Sequence, residues 1–554
     1  MSFKLEHDWQ GNMSTPGKKL GEKTKLHLFL TLSAIWIFTG LIGHAPWIPA
    51  ESQTISMIMD IIQNNTIIAP LAASQTSINN PPLYPYIAAA MGKFLSTILS
   101  VHDAARLSNA LWVSLTLFVI GMSTRELWGP GFGRQAGLIF IASIGLIFNI
   151  HTIRPEIASL LGFALSMYGF ALYNRRPFRA SMVLGFGASI IFLSNGIIPL
   201  LSIYIATLGL LFIKSWRNKR YYIFSLISSV ITSIIIGPWV FVLFQYNPEI
   251  FFLWINRVSF SQGPEFFYYL KNILWFSWPA LPLVIVALHT NYKKIKLEKR
   301  LHLPIIFSIS ILITICLDNK LDQINLMPIL IPFSIIGVGG IDLLKRGSAS
   351  ALNWFGILIF GFIGMLIWLG WFTMMTGFPS RLYDRIFYLS GNYLGELNII
   401  SFFVALIITL LWVISVFNLK ITNRSSVSNW ALGITMVWVN AIMLCSPFLD
   451  NRKSYSGVFL DAKKHLAQNS SCLHTYNFSE NHINLLHYYT GIKGIDSNDR
   501  DTSCRMIMLS LNSAGKMPSE FQSWKQVWSG KRIERDKSYF VLMIKDLDKD
   551  RSNL

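Results

Sequence analysis

The chain has 554 residues, with 47 Lys and Arg against 28 Asp and Glu, a formal net charge of +19. Only 14% of residues are charged and 52% are apolar, which excludes a disordered chain and a single water-soluble core. Several apolar runs reach the ~20 residues that span a bilayer, and the basic residues lie between them rather than on one soluble module, which excludes nucleic-acid binding.

Residues 1–25 form a polar cytoplasmic tail with Lys18, Lys19, Lys23 and Lys25. The run Leu26–Gly43 that follows is too long for a signal-peptide core, and no small-x-small cleavage site stands out after it. It reads as a retained first helix. About fourteen apolar segments follow from hydropathy, and charge decides the ambiguous one, Pro82–Ser100. If that segment lies in the membrane interface, thirteen spans remain, at 26–45, 105–124, 134–150, 156–173, 180–194, 197–213, 221–243, 272–290, 303–317, 324–343, 352–374, 399–419 and 428–446. Every cytoplasmic loop is then basic: Arg125 and Arg134; Arg175, Arg176 and Arg179; Lys214 to Arg220; Lys293 to Arg300; Lys345 and Arg346; Lys420 and Arg424. Counting 82–100 as a span would turn these loops outward, against the positive-inside bias. The segment therefore reads as a helix in the plane of the interface.

An odd span count places residues 450–554 outside the cytoplasm. That segment holds 16 basic and 12 acidic residues and reads as a small soluble α/β domain. Arg505–Leu511 and Tyr539–Ile544 are its expected strands, and His482–Tyr489 its expected helix. Cys472 and Cys504 lie in it and can pair on the oxidising side of a membrane. Cys316 and Cys445 lie in or beside apolar runs as packing residues. The fold class is thus an all-α polytopic membrane protein with a small α/β C-terminal domain. The expected divisions are a tail at 1–25, a membrane domain at 26–449 with a long outer loop at 46–104, and the periplasmic domain at 450–554. Further outer loops lie at about 244–271 and 375–398.

The outer loops carry the candidate chemistry: HAPWIPAES at His44–Ser52, NNPPLYPY at Asn79–Tyr86, HDAARL at His102–Leu107, HTIRPE at His151–Glu156, FLSNG at Phe192–Gly196, and the run Pro264–Leu283. Their order and spacing resemble the bacterial GT-C glycosyltransferases, such as the aminoarabinose transferase acting on lipid A and the protein O-mannosyltransferases. The resemblance runs along most of residues 26–446. It implies a polyprenyl-phosphate-linked sugar donor, an acceptor that is a glycolipid, glycan or protein, and a place in the bacterial inner membrane among its lipids.

The family's first-loop motif is an Asp-Glu pair with the Asp as base. Here it reads Ala50-Glu51, so the resemblance makes Glu51 a candidate catalytic residue; the alternative is a loop or helix-start residue. The Arg-x-acid motif stands as Arg154-Pro155-Glu156. Glu156 is the second candidate catalytic carboxylate, and Arg154 can fork onto the donor phosphate; the alternative is a helix-start pair aligned with the helix dipole. Asn79 and Asn80 replace a Glu-Lys pair before the two prolines. Amides bind divalent cations more weakly than carboxylates, so a divalent metal is an open but disfavoured cofactor, and a turn before a helix is the simpler reading. Asn195 stands where a Lys is common. Tyr84 and His151 join Asn79 and Asn80 as candidate substrate-binding residues.

Arg106, Arg257, Lys271, Lys320, Arg381 and Arg385 are basic on the outer side. Of these, Arg257 and Lys271 flank the aromatic run Phe266–Tyr269 and suit a phosphate with its sugar, or lipid headgroups. Trp275 and Trp278 fit an aromatic belt. Two rival functions stay open: a catalytically degenerate paralogue that binds polyprenyl-phosphate sugars, favoured by Ala50, Asn79 and Asn195, and a lipid-sugar transporter, which spans almost free of charge disfavour.

Overall fold

A helix stands at each of the thirteen apolar segments in the computed structural model of the chain. The structure describes residues 21–75, 79–257, 266–318, 321–418, 422–466, 472–496, 504–512, 517–521, 524–533, 536 and 538–545. Among these, eight helices are long and apolar enough to cross a membrane, or nine if one bent pair is a single span. The helices Lys219–Tyr246, Arg346–Thr376 and Ile399–Asn418 bury few of their apolar side chains within the protein. A helix that is apolar all round and poorly covered by protein faces hydrocarbon. The other segments are shorter or interrupted.

Two of these interruptions interlock. The segment 272–290 is not straight: Phe266–Phe276 and Ala280–Thr290 meet at 98°, because Pro279 lacks an N–H to continue the ladder. The segment 134–150 divides into Gly133–Ala142 and Leu146–Asn149. The freed backbone groups satisfy each other across the two breaks, with Ile144 N donating to Trp278 O at 3.0 Å and Gly145 N to Phe276 O at 2.8 Å. Only glycine fits at 145, since a Cβ there would stand 2.4 Å from the Phe276 ring.

The segment 82–100 contains the 13-residue helix Leu83–Leu95, too short to span. The described residues of the loop 46–104 pack around it and the helix Ser52–Asn64. The C-terminal unit folds as expected for its pattern. Five strands, β1 (Leu473–Tyr476), β2 (Gly494–Asp496), β3 (Met506–Asn512), β4 (Trp524–Lys531) and β5 (Ser538–Lys545), form one sheet in the order β2-β1-β3-β5-β4. The pairs β1/β2 and β1/β3 are parallel, while β3/β5 and β5/β4 are antiparallel. The helices Ser456–His465 and Glu480–Thr490 belong to this unit. Cys472 and Cys504 are bonded across it, with Cα atoms 5.4 Å apart.

Candidate active site

Helices Glu156–Leu172 and Pro177–Asn195 run antiparallel across a tight turn. Gly162 and Gly187 let them touch backbone to backbone, because a Cβ on Gly162 would lie 2.7 Å from Gly187 O. The first residue of one helix, Glu156, therefore sits beside the last of the other, Asn195. Both line a cavity of about 500 Å³. Pro49, Ala50, Gln53, Thr54 and Met57 form a second wall, Asn79, Asn80, Pro81 and Pro85 a third, and Trp254, Asp318, Asp322 and Asn325 close it. The motifs from distant loops are thus gathered in one place: Ala50, Asn79, Asn80, Arg154, Glu156 and Asn195.

The strand of chain leading to Arg154 is suspended from behind. Asn109 Nδ2 donates to the carbonyls of Ile150 at 3.1 Å and Thr152 at 2.8 Å. Tyr84 OH donates to Asn109 Oδ1 at 2.7 Å. Tyr84 is fully buried and does not line the cavity, so it acts through Asn109. Arg154 itself reaches Asp322, Nη2 to Oδ2 at 2.8 Å. The other Asp322 oxygen accepts from Ile324 N at 3.1 Å and caps the turn that follows.

Glu156 is placed differently from every other carboxylate in the wall. Its Oε2 is buried with no hydrogen-bond partner. A buried acceptor left unsatisfied costs roughly 1–3 kcal/mol, and the group beside it in the cavity is a cation, Arg154.

Glu51 does not line the cavity. Its carboxylate points the other way into a fully buried knot, where Arg106 Nε donates to Oε1 at 2.8 Å and Nη2 to Oε2 at 2.9 Å. Ile153 N donates to Oε1 at 2.9 Å and Trp47 N to Oε2 at 3.0 Å. Arg106 completes its fork on Asp103 Oδ1 and on the carbonyls of His44 and Ala45. Burial works to raise the Glu51 pKa, but the charge and hydrogen bonds of Arg106 outweigh it and hold it at about 2. A carboxylate with every lone pair engaged is a poor base, and Ala50, which does face the cavity, has no carboxylate to offer.

Two other expected site residues lie apart. His151 is buried between the carbonyls of Ile147 and Trp36, at 2.8 and 3.0 Å, and stacks on Trp438; it joins helices and does not reach the cavity. Lys271 is exposed on the helix Phe266–Phe276, away from the lining. Arg257 ends the helix Pro248–Arg257, whose Trp254 lines the cavity; its side chain lies outside the described part of the structure. Lys320 lies outside the described residues. Asp318, Asp322, Asn325, Trp254 and Gln53 were not expected in the site. The signal for the two acids was present: they lie four apart in LDNKLD, the short break between two apolar runs.

Among the described residues, no group of three or more His, Cys, Asp or Glu could hold a metal ion. In the cavity Asp322 is already engaged by Arg154, and positions 79 and 80 supply amides, which bind divalent cations more weakly than carboxylates.

No family model matches the sequence, nor does any curated protein. The backbone decides more. It superposes on the crystal structure of ArnT from Cupriavidus metallidurans bound to undecaprenyl phosphate with a TM-score of 0.69, covering 95% of this chain and 99% of that one at 14% identity. The fold is that of the GT-C glycosyltransferases. The apo form of the same ArnT gives a TM-score of 0.68 over 94% of this chain and 98% of that one, again at 14% identity. The archaeal oligosaccharyltransferase AglB from Archaeoglobus fulgidus, in complex with an inhibitory peptide and a dolichol-phosphate, gives 0.50 at 10% identity, over 93% of this chain and 74% of that one. Identities this low speak for the GT-C fold alone.

Proposed function

We propose that the chain is a membrane glycosyltransferase that moves a sugar from a polyprenyl-phosphate donor to an acceptor hydroxyl at the periplasmic face of the inner membrane. The observation that carries this reading is the cavity itself, in which the Arg154 cation and the unpartnered Glu156 oxygen stand side by side at helix ends. The structural neighbour bound to undecaprenyl phosphate supports the class of donor.

In this reading Arg154 takes the donor phosphate, exchanging its contact to Asp322 for a phosphate oxygen. Glu156 accepts the proton of the acceptor hydroxyl as its oxygen attacks the anomeric carbon. The bond from that carbon to the phosphate oxygen breaks, its electron pair leaving on the phosphate, where Arg154 stabilises it. Gln53, Thr54, Asn79, Asn80 and Asn195 offer neutral hydrogen-bonding groups to the donor's phosphate oxygens and its sugar hydroxyls. Glu51 is a positioning residue: through Ile153 N and Arg106 it fixes the loop that carries Arg154.

The cavity and the C-terminal unit lie on one side of the helix bundle, since the first long loop touches both. The disulfide of that unit favours an oxidising compartment, and the basic loops favour the cytoplasm for the opposite side. We therefore read a cytoplasmic tail at 1–25, a membrane domain at 26–449 and a periplasmic domain at 450–554. Ala50 gives weight to a second reading, in which the site binds polyprenyl-phosphate sugars without turnover. Replacing Glu156 by Gln and following the glycolipids of the host by mass spectrometry separates the two. Turnover lost with binding retained supports the transferase, and an unchanged glycolipid profile, when deletion of the chain alters it, supports the binding protein.

A further inference from the structure

The helix Ser52–Asn64 shows two different faces to two different partners. Gln53, Thr54 and Met57 line the cavity. Ser52, Ser56 and Asp60, one turn apart and roughly 100° around the helix, face the C-terminal unit instead. Ser52 Oγ donates to Asn481 Oδ1 at 2.7 Å. Ser56 Oγ accepts from Ala73 N at 3.0 Å and shares a hydrogen bond with His487 Nδ1, 2.9 Å away. Asp60 is almost wholly buried and holds Lys493 at 2.7 Å, while Asn64 and Leu71 N donate to its two oxygens. Asn484 Oδ1 accepts from Ser74 N at 3.0 Å, tying down the chain that leaves the helix.

A 13-residue helix is marginal alone, and its position is set by what it packs against. Here much of that support is polar and comes from residues more than 400 positions away in the chain. The outer face of the helix is held by the C-terminal unit, and the neighbouring face is a wall of the site.

We propose that the C-terminal domain is a working part of the site: Asn481, His487 and Lys493 are positioning residues that hold helix Ser52–Asn64 at the distance at which Gln53 and Thr54 meet the substrate. The proposal rests on the glycosyltransferase reading for the identity of that substrate. It goes beyond that reading in making affinity at the cavity depend on side chains that never touch it. The coupling is mechanical and reciprocal, so a ligand in the cavity must also tighten the contact with the domain.

The test uses the full chain in lipid nanodiscs, with undecaprenyl phosphate as the probe. Binding is read from Trp fluorescence, since Trp254 lines the cavity, and hydrogen exchange is read over residues 52–64. Lys493→Met and Asn481→Ala are expected to weaken binding by roughly fivefold or more and to speed exchange in 52–64, while Lys493→Arg keeps both at wild-type values. A domain that only stabilises the fold would lower the unfolding temperature while the folded molecules kept wild-type affinity and wild-type exchange in 52–64, and that result overturns the proposal. The glycosyltransferase reading fails separately, if the wild-type chain takes up no undecaprenyl phosphate. The exchange measurement still decides the positioning claim in that case, because it needs no ligand: unchanged exchange in the variants overturns it, and faster exchange that Lys493→Arg does not show supports it.

Discussion

The guanidinium of Arg106 clasps the carboxylate of Glu51 through two parallel hydrogen bonds of 2.8 and 2.9 Å, with both side chains fully buried. The pair turns the acidic side chain of the first loop away from the cavity, which Glu51 does not line. Removing one partner of a buried ion pair costs about 3–5 kcal/mol, because the other is left uncompensated. Glu51→Ala is therefore expected to lower the unfolding temperature sharply and to reduce the yield of folded protein. A folded, stable and inactive Glu51→Ala would instead assign Glu51 to the chemistry.

Arg154 is held ready by Asp322. Charge-assisted hydrogen bonds contribute about 1.5–3 kcal/mol, so Arg154→Met should weaken undecaprenyl phosphate binding by roughly ten- to a hundredfold, and Arg154→Lys by less. Asp322→Asn should not weaken it, since the change removes a competitor for the guanidinium. Titration of each variant in nanodiscs reads these three outcomes, and weaker binding by Asp322→Asn would mean that the aspartate itself contacts the ligand.

Acid should loosen the outer half of the molecule in two windows. Burial, with Lys493 nearby, holds the His487 pKa down at about 4 from its ordinary 6.5, against a smaller opposing effect of Asp60. Glu51 is held at about 2 from 4.5. Each group is deprotonated in the folded state more readily than in the unfolded chain, so each stabilises the fold at neutral pH and stops doing so as protons are forced on. The His487 contribution declines as pH falls from about 6.5 to about 4, and the Glu51 contribution from about 4.5 to about 2. His102 and His482, also lowered to about 4 by burial, act in the first window. Unfolding temperature measured against pH should fall through both, and His487→Gln should shrink the first window without touching the second.

The orientation has its own consequence. Cys472 and Cys504 should resist an impermeant thiol reagent applied to spheroplasts until a reductant is added, and a phosphatase fused after residue 554 should be active. A fusion active only as a cytoplasmic reporter contradicts the periplasmic placement.

Hydropathy and charge made most of the architecture legible, because both are summed over many residues. The short helix Leu83–Leu95 and the strands at 506–512 and 538–545 stand in the segments where pattern placed a helix and strands. Bends were harder to read: Pro279 broke a run that hydropathy treats as continuous. The site was legible as a set of loops, and Asn79, Asn80, Arg154 and Glu156 do meet. Side-chain direction was not legible. Ala50 and Glu51 are neighbours, yet only Ala50 faces the cavity, because the glutamate's partner lies 55 positions on at Arg106. The spacing of Asp318 and Asp322 was not decisive by itself, since a short polar break between two apolar runs reads equally well as a solvated turn.

The central claim is that Glu156 is the base of a sugar transfer, and the purified Glu156→Gln chain, given a polyprenyl-phosphate-linked sugar and its acceptor, tests it most directly. Turnover should fall by about 10²–10⁴-fold while the unfolding temperature and the affinity for undecaprenyl phosphate stay at wild-type values. Turnover equal to wild type in a correctly folded variant would contradict the account.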